Sequence, residues 1–249
     1  MRKKASEEKQ NIRGNPQSPL TLAIDIGGTG IKAVKVDSTD QPASEFMRVL
    51  TPWPATPSAV LKVIDRFAQE LAPFDRVSVG FPGVIKTGVV WTAVNLHLKW
   101  IGFDLAEELS SRLGKPARVA NDAAVQGLGT INGEGVELMI TLGTGVGSSL
   151  FIDGTLVPGL EMGHHPFRNE KTYEEQLGKK ALDRVGLRRW NRRLKLAIDR
   201  WASLFNYDQL YIGGGNAKRV SLKLPENAKI VANKSGLIGG PGLWRQKQR

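Results

Sequence analysis

Apolar and polar side chains alternate along residues 21–26, where large apolar residues are interleaved with Ala23 and Asp25. The alternation stops at a run of glycines, at positions 27, 28 and 30, and resumes over residues 31–37. A period of two is that of a half-buried β-strand, and glycine permits tight turns and close approaches that a Cβ would block. The pattern therefore predicts a β-hairpin with a glycine-rich turn.

Three further elements follow this hairpin. Residues 45–50 can form a third strand, and apolar residues recur at helical spacing from Val60 to Leu71 after Pro57 and Ser58. Residues 76–80 are typical of a short buried strand. The order strand, strand, strand, helix, strand is that of a ribonuclease-H-like α/β unit. Beyond it, residues 89–91 indicate an added β excursion, and Asp104 caps a helix that ends at Gly114.

From residue 117 onwards, the chain repeats the sequence pattern of strands and a glycine-rich turn. A strand at 117–120 leads into Asn121-Asp122 and a helix over 123–129, and residues 136–142 and 148–152 form two strands around glycines 143, 145 and 147. This second hairpin echoes the first and indicates two related halves with a ligand cleft between them. We expect a disordered segment at 1–19, an N-terminal α/β domain at 20–117 and a C-terminal α/β domain at 118–249.

The C-terminal half carries two more features. A helical region at 168–200 carries an apolar stripe that includes Leu187, Trp190 and Trp201, and core packing is the expected role of its aromatics. A strand at 209–212 ends in a third glycine-rich turn, at 213–215. Residues 235–241 are poorly periodic.

Composition narrows the classes of protein. The 249-residue chain has no cysteine, which excludes disulfides, a cysteine zinc site and a thiol nucleophile. It has no apolar run near the length of a membrane span and no apolar signal-peptide core at its N-terminus, so we expect a soluble, cytoplasmic protein.

The charge is uneven. The net charge is +11, and residues 168–200 hold eleven Lys and Arg against five Asp and Glu. Two interpretations stand: a solvated surface, or a binding face for a polyanion.

The glycine-rich turn of the first hairpin can bind an anion, because successive backbone N–H groups can point inward and form a nest. Asp25 at the end of the strand could hold a hydrated Mg²⁺ beside the same phosphate. A plain tight turn is the alternative. The spacing matches neither a dinucleotide-binding GxGxxG motif nor a P-loop, since no helix opens here and no Gly-Lys-Ser/Thr follows.

Together the short motifs resemble the ROK family (repressors, open reading frames and kinases) of sugar kinases, within the actin-like ATPase superfamily, and most of all its polyphosphate-using branch. The resemblance covers about residues 20–240. It implies two ribonuclease-H-like domains with a cleft between them. The motifs are Asp25 to Lys32, Gly80 to Val84, Asn95 with Trp100 to Gly102, Asn121-Asp122, Leu142 to Gly147, Glu161 to His164 and Gly213 to Gly215.

The resemblance assigns roles to these positions. Asp122 is implied as the catalytic base; without the resemblance, Asn121-Asp122 would be interpreted as an ordinary helix cap. Glu174 or Glu175 is implied as an additional sugar contact. The implied sugar-binding residues are Asn95, Asn121, Asp122, Glu161, His164 and Glu174. The implied phosphate-binding residues are Asp25, Gly27, Gly28, Thr29, Gly30, Lys32, Gly143, Thr144, Gly145 and Gly214.

The implied activity is Mg²⁺-dependent transfer of a phosphoryl group to the 6-hydroxyl of glucose from inorganic polyphosphate, with ATP as an additional candidate donor. The alternatives are an ATP-dependent hexokinase for glucose, mannose or an amino sugar, and a non-catalytic sugar-sensing regulator. No zinc, nucleic acid or membrane partner is expected, and the resemblance implies a homodimer. Glycines 239 and 240 with Pro241 predict a short or interrupted last helix, which puts its contact with the N-terminal half in doubt.

Overall fold

The structure is a computed structural model that describes residues 19–94, 96–232 and 235–247. The predicted disordered segment 1–19 lies almost entirely outside the described residues. None of the helices in the described part is long and apolar enough to cross a membrane.

The first half of the chain forms a five-stranded sheet with the order β3-β2-β1-β4-β7. Strands β1, β2 and β3 are antiparallel neighbours, while β4 and β7 run parallel to β1. This confirms the predicted ribonuclease-H-like unit and the added β excursion. The elements are β1 (Thr21–Ile26), β2 (Gly30–Val36), β3 (Met47–Leu50), α1 (Pro57–Glu70), β4 (Arg76–Phe81), β5 (Ile85–Lys86), β6 (Val89–Val90), α2 (Leu105–Leu113) and β7 (Ala117–Asn121).

Local chemistry defines the two helices of this half. The Thr56 side chain accepts a hydrogen bond from the Ala59 N–H, and Pro57 occupies the first turn of α1. Asp104 caps α2 as predicted, and Gly114 ends it in the left-handed conformation, with φ of 60°. The apolar face of α1 is buried in the same core as the strands.

The second half repeats this topology. Its sheet has the order β10-β9-β8-β13-β14, with β8, β9 and β10 antiparallel and β13 and β14 parallel to β8. The internal repeat predicted from the two glycine-rich hairpins is therefore confirmed. The elements are α3 (Asp122–Leu128), β8 (Val136–Leu142), β9 (Val146–Ile152), β10 (Thr155–Val157), β11 (Pro166–Arg168), β12 (Lys171–Thr172), α4 (Tyr173–Leu177), α5 (Lys179–Val185), α6 (Leu187–Phe205), β13 (Gln209–Gly213) and β14 (Ala228–Ile230).

Helix α6 buries one face in this second core. Trp190 and Trp201 are fully buried, which confirms that these aromatics serve packing. Leu187 departs from the predicted stripe, because it is 44% exposed at the start of the helix.

Strand β7 belongs to the first sheet over its whole length. It continues to Asn121, which lies opposite Phe81 of β4, so the first sheet extends past residue 117. The division into two domains at residues 117 and 118 stays a prediction.

The C-terminal segment also returns to the first sheet. The last helix is interrupted as predicted, into α7 (Ser235–Ile238) and α8 (Gly242–Arg245), yet the contact that had been in doubt is made. Ser78 donates a hydrogen bond from Oγ to the Gly240 carbonyl at 2.8 Å, and Trp244 Nε1 donates to the same hydroxyl at 2.9 Å. A Cβ on Gly240 would lie 2.8 Å from the Cβ of Ala23. Glycine here permits close packing on β1 rather than preventing it.

Candidate active site

A polar cavity of about 260 Å³ lies between the two sheets, where the glycine-rich turns of both hairpins face each other. Its walls come from β1, β7, α3, β8, β9 and α4. The cavity thus brings together residues far apart in the chain. The predicted residues that line it are Asp25, Gly27, Gly28, Thr29, Lys32, Asn121, Asp122, Gly143, Thr144, Gly145, Glu161, His164, Glu174 and Gly214.

The first turn connects β1 to β2 and is tightly closed. The Gly27 N–H donates to the Gly30 carbonyl at 3.0 Å, and the Thr51 hydroxyl donates to the Gly27 carbonyl at 2.5 Å. Asp25 and Lys32 lie directly opposite each other across the two strands, and Lys32 Nζ is 2.8 Å from Asp25 Oδ2. The turn therefore presents a carboxylate and an ammonium group side by side at the cavity.

The second turn, between β8 and β9, is held from outside. Its Gly143 carbonyl accepts hydrogen bonds from the Lys179 N–H at 3.0 Å and from Asn216 Nδ2 at 2.9 Å. These contacts fix the turn to the start of α5 and to the third glycine-rich turn. In the third turn, Gly214 has φ of 87° and packs against the backbone of Leu142. Hydrogen bonds or close packing therefore hold the backbone of all three turns at the cavity wall.

Asp122 is the first residue of α3, where β7 turns into the helix. The cap itself is Asn121, whose Oδ1 accepts a hydrogen bond from the Ala123 N–H at 2.9 Å. Burial raises the pKa of Asp122 to about 7, and the negative charges of Asp25 and Glu161 add to the rise. A carboxylate with this pKa can take up a proton near neutral pH.

Glu161 immediately precedes a short 3₁₀ helix, Met162–His164, and His164 is its last residue. Glu161 Oε2 lies 3.9 Å from His164 Nε2, and burial raises the pKa of Glu161 while the His164 charge opposes that rise. The 3₁₀ helix sits close against β9, because Gly163 has no Cβ and an ideal one would be 2.1 Å from the Val146 carbonyl oxygen. Both side chains are thus positioned by the backbone of β9.

The structure distinguishes the two neighbouring glutamates of α4. Glu174 lines the cavity, and its Oε2 accepts a hydrogen bond from the Val146 N–H at 3.2 Å. Glu175 forms a capping box with Thr172, in which each side chain accepts from the other residue's N–H. Hydrogen bonding to Thr172 lowers the pKa of Glu175. Glu174 is therefore the one available to a ligand.

Among the predicted site residues that the structure describes, Gly30 does not line the cavity. Asn95 lies outside the described residues. Gly30 begins β2 and faces β3, where a Cβ would lie 3.2 Å from Arg48 Nε and 3.3 Å from the Val49 carbonyl oxygen. Its absent side chain serves strand pairing rather than the cavity.

Other lining residues were missed from the sequence. Gln126 lines the cavity from α3, and its buried Nε2 has no hydrogen-bond partner within the described residues. Thr92, Gly83 and Thr141 also line it. No sequence signal marks Gln126, since a single glutamine in a helix carries no pattern. A larger and more apolar cavity of about 570 Å³ lies beyond Asn121 and Glu161, but it holds none of the glycine-rich turns.

The donor set at Asp25 fits Mg²⁺. Asp25 is a carboxylate at the cavity and is close enough to Asp122 to raise its pKa, so a cation there would relieve a repulsion that the structure contains. Within the described residues, no group of three or more His, Asp or Glu side chains could hold a metal by themselves. Mg²⁺ needs fewer, because it commonly binds through one or two carboxylates, waters and substrate phosphates.

Comparison with known proteins identifies the family of this chain. The chain belongs to the ROK family, whose sequence model matches residues 21–178. A polyphosphate glucokinase from Mycobacterium tuberculosis is 32% identical over an alignment of 239 positions, and the match covers 88% of this chain and 88% of that protein.

Solved structures agree with this placement. An inorganic polyphosphate/ATP-glucomannokinase from Arthrobacter sp. strain KM is 34% identical, with a TM-score of 0.80 over 90% of this chain and 97% of that one. A ROK family glucokinase from Streptomyces griseus, solved with glucose and AMPPNP, has a TM-score of 0.77 and covers 90% of this chain and 98% of its own. At 22% identity, this match shows a similarity of fold. The two-sheet architecture is therefore the actin-like ATPase fold of the ROK sugar kinases.

Proposed function

We propose that this protein is a glucokinase that transfers a phosphoryl group from inorganic polyphosphate, and secondarily from ATP, to the 6-hydroxyl of glucose. The observation that carries the proposal is the position of Asp122. Asp122 lines the cavity together with the two glycine-rich turns and the Glu161–His164 pair, and the charges of both Asp25 and Glu161 act on its carboxylate. A base between a phosphate site and a hydroxyl-recognition site suits phosphoryl transfer to an alcohol.

In the proposed reaction the sugar 6-hydroxyl oxygen attacks the terminal phosphorus of the donor. The bond from that phosphorus to the bridging oxygen breaks, and the hydroxyl proton passes to the Asp122 carboxylate. The products are glucose 6-phosphate and a donor shortened by one phosphate. A base with a pKa near the working pH is suited to this step, and general-base assistance is worth about 10²–10⁴ in rate.

The donor phosphates would be held by backbone N–H groups of the two facing turns and by Lys32. Asp25 would hold Mg²⁺, which shields the phosphate oxygens when bound. On the sugar side, Glu161, His164 and Glu174 would accept and donate hydrogen bonds to hydroxyls. Polar groups that are paired only by the correct sugar give selectivity, because a wrong sugar leaves them unpaired.

Glu174→Gln is expected to raise the KM for glucose about tenfold, because a charge-assisted hydrogen bond becomes a neutral one. Glu175→Gln is the matched control: it weakens the capping box of α4 and lowers the melting temperature slightly, with little change in KM. Initial-rate kinetics against glucose measure both. Equal effects on KM in the two variants would contradict the assignment of Glu174 to the sugar.

Two observations support polyphosphate as the donor. The polyphosphate glucokinase and the polyphosphate/ATP-glucomannokinase are 32% and 34% identical to this chain, respectively. Positive charge is concentrated in residues 168–200, beside the second glycine-rich turn. One feature favours ATP as well: the third turn contributes Gly214 and Gly215 to the cavity, where they could face an adenosine.

The test measures glucose 6-phosphate formation with Mg²⁺, using nucleotide-free polyphosphate in one arm and ATP in the other. We expect faster turnover at lower donor concentration with polyphosphate. Activity with ATP alone would overturn the donor and leave a ROK hexokinase. If no sugar phosphate forms in either arm, with glucose or with mannose and amino sugars in its place, the result would favour a sugar-sensing regulator without catalysis.

A further inference from the structure

Four arginines from three elements gather on one side of α4. Arg168 ends β11, Arg184 is in α5, and Arg189 and Arg193 stand one turn apart on α6. We refer to these four residues as the arginine cluster.

Their proximity shows in the electrostatics of Arg193. Burial lowers the pKa of Arg193, and the positive charges of Arg168, Arg184 and Arg189 lower it further. No carboxylate is among the causes of that shift. The guanidinium groups of Arg168, Arg184 and Arg189 are therefore close enough to Arg193 to repel it, and no acidic partner offsets them there.

The cluster also lacks ion pairs. The ion pairs of this region join Lys179 to Asp183 at 2.5 Å and Lys195 to Asp199 at 2.8 Å, each within one helix. None of the four arginines lies within ion-pair distance of a carboxylate in residues 19–94, 96–232 and 235–247. Glu175 senses the charge of Arg184, but its carboxylate is engaged by the Thr172 N–H. Like charges collected without compensation form a site for an anion from outside the chain.

Geometry links the cluster to the active site. Arg184 Nη2 donates to the Glu175 carbonyl at 3.3 Å, and Arg193 Nη1 reaches the Gln176 carbonyl at 3.5 Å. Both carbonyls belong to α4, whose first turn carries Glu174 at the cavity wall. Five residues of helix span about 7.5 Å, so the cluster lies one short helix away from the cavity. Lys179 at the start of α5 contacts the second glycine-rich turn, which completes the connection.

We propose that the arginine cluster binds the part of an inorganic polyphosphate chain that extends beyond its reacting end. This inference rests on the proposed function. The planar guanidinium group suits phosphate, because it donates two parallel hydrogen bonds while keeping its charge. Long chains reach both the glycine-rich turns and the cluster, whereas ATP and tripolyphosphate occupy the turns alone. The cluster thus selects for long donors.

The test compares two double variants on the same helix, Arg189→Gln/Arg193→Gln in the cluster and Arg188→Gln/Arg192→Gln as the control. Both remove two positive charges one helical turn apart. We expect the cluster variant to raise the KM for long-chain polyphosphate about tenfold, and to reduce the slope of log KM against log salt by about 2, one for each lost phosphate contact. The KM values for tripolyphosphate, ATP and glucose should stay at the wild-type values.

An equal increase in the KM for long-chain polyphosphate in both double variants would contradict a specific role of the arginine cluster and would indicate a general effect of positive charge. If the cluster variant raised the KM for tripolyphosphate by the same factor, the proposal would also be contradicted, because a short donor bound at the glycine-rich turns should not reach the arginine cluster. A wild-type protein that turns over ATP but no polyphosphate would overturn the donor itself. Should the cluster variant melt at a lower temperature than the control, the exposed single variants Arg189→Gln and Arg188→Gln give the same comparison with α6 packing intact.

Discussion

Asp122→Asn is expected to lower kcat by about 10²–10⁴ and to leave the Kd for glucose nearly unchanged. Asparagine keeps an oxygen that can accept the hydrogen bond from the Ala123 N–H, which is 2.8 Å long in the wild type, but it cannot take up the proton of the sugar hydroxyl. Rates of glucose 6-phosphate formation and glucose titration calorimetry measure the two quantities separately.

Asp104→Asn is the control for this variant. Asp104 caps α2, and asparagine caps a helix as well as aspartate does, so its rate should be that of the wild type. If Asp122 served only the helix terminus, the two variants would behave alike. A variant that retains more than about a tenth of the normal rate would remove Asp122 as the base.

The pH dependence follows from the same carboxylate. Because the base must be deprotonated and its pKa is about 7, kcat should rise about tenfold per pH unit below 7 and level off above it. The residual activity of Asp122→Asn should lack this limb. Burial is the main cause of the raised pKa, followed by the charge of Asp25.

The free energy of unfolding should fall as pH rises, whereas kcat should increase. Between the unfolded pKa of 3.8 and the folded pKa of about 7, the folded state holds a proton that the unfolded state has released. The free energy of unfolding therefore falls as pH rises through this window, by up to about 4 kcal/mol. Asp122→Asn removes the buried charge and should melt at a higher temperature than the wild type at pH 8. Thermal melts of both proteins at pH 5 and pH 8 test this sign, with a smaller difference expected at pH 5.

Gly163→Ala is expected to raise the KM for glucose and lower kcat, for a combined loss of about 10² in kcat/KM. An added Cβ would lie 2.1 Å from the Val146 carbonyl oxygen, which is backbone at the start of β9 and cannot turn aside. The 3₁₀ helix must move away by roughly an ångström, and Glu161 and His164 move with it. A misplacement of this size is enough to cost two orders of magnitude.

Gly236→Ala is the matched control. Gly236 also lines the cavity, but its added Cβ would meet only the Gln126 Cβ, at an ordinary 3.9 Å. Kinetics against glucose should therefore be close to those of the wild type. If Gly163→Ala matched this control, the packing of Gly163 on β9 would not be what positions Glu161 and His164.

Much of the fold could be predicted because patterns of neighbouring residues along the chain determine its strands, helices and turns. Alternation with a period of two and apolar spacing of three and four define the strands and helices through backbone geometry alone. The glycine-rich hairpins repeat once, and the repeat predicted the matching topology of the two sheets. Helix limits at Asp104 and Gly114 followed from capping chemistry. Most of the predicted phosphate and sugar residues lie at one cavity, because the two glycine-rich turns, the corner between β7 and α3, the 3₁₀ helix and α4 all reach its wall.

The remaining features depend on contacts between distant parts of the chain. The amino-acid sequence by itself determined the elements, the repeat and the glutamate pair at 174 and 175. Only the tertiary structure decided that Glu174 faces the cavity, that Gln126 joins it and that Gly30 does not. Tertiary packing likewise brings Arg168 to the helices that carry the other three arginines. The physical reason is that periodicity is set by neighbours along the backbone, whereas the direction of a side chain and its electrostatic partners are set by the packing of separate elements.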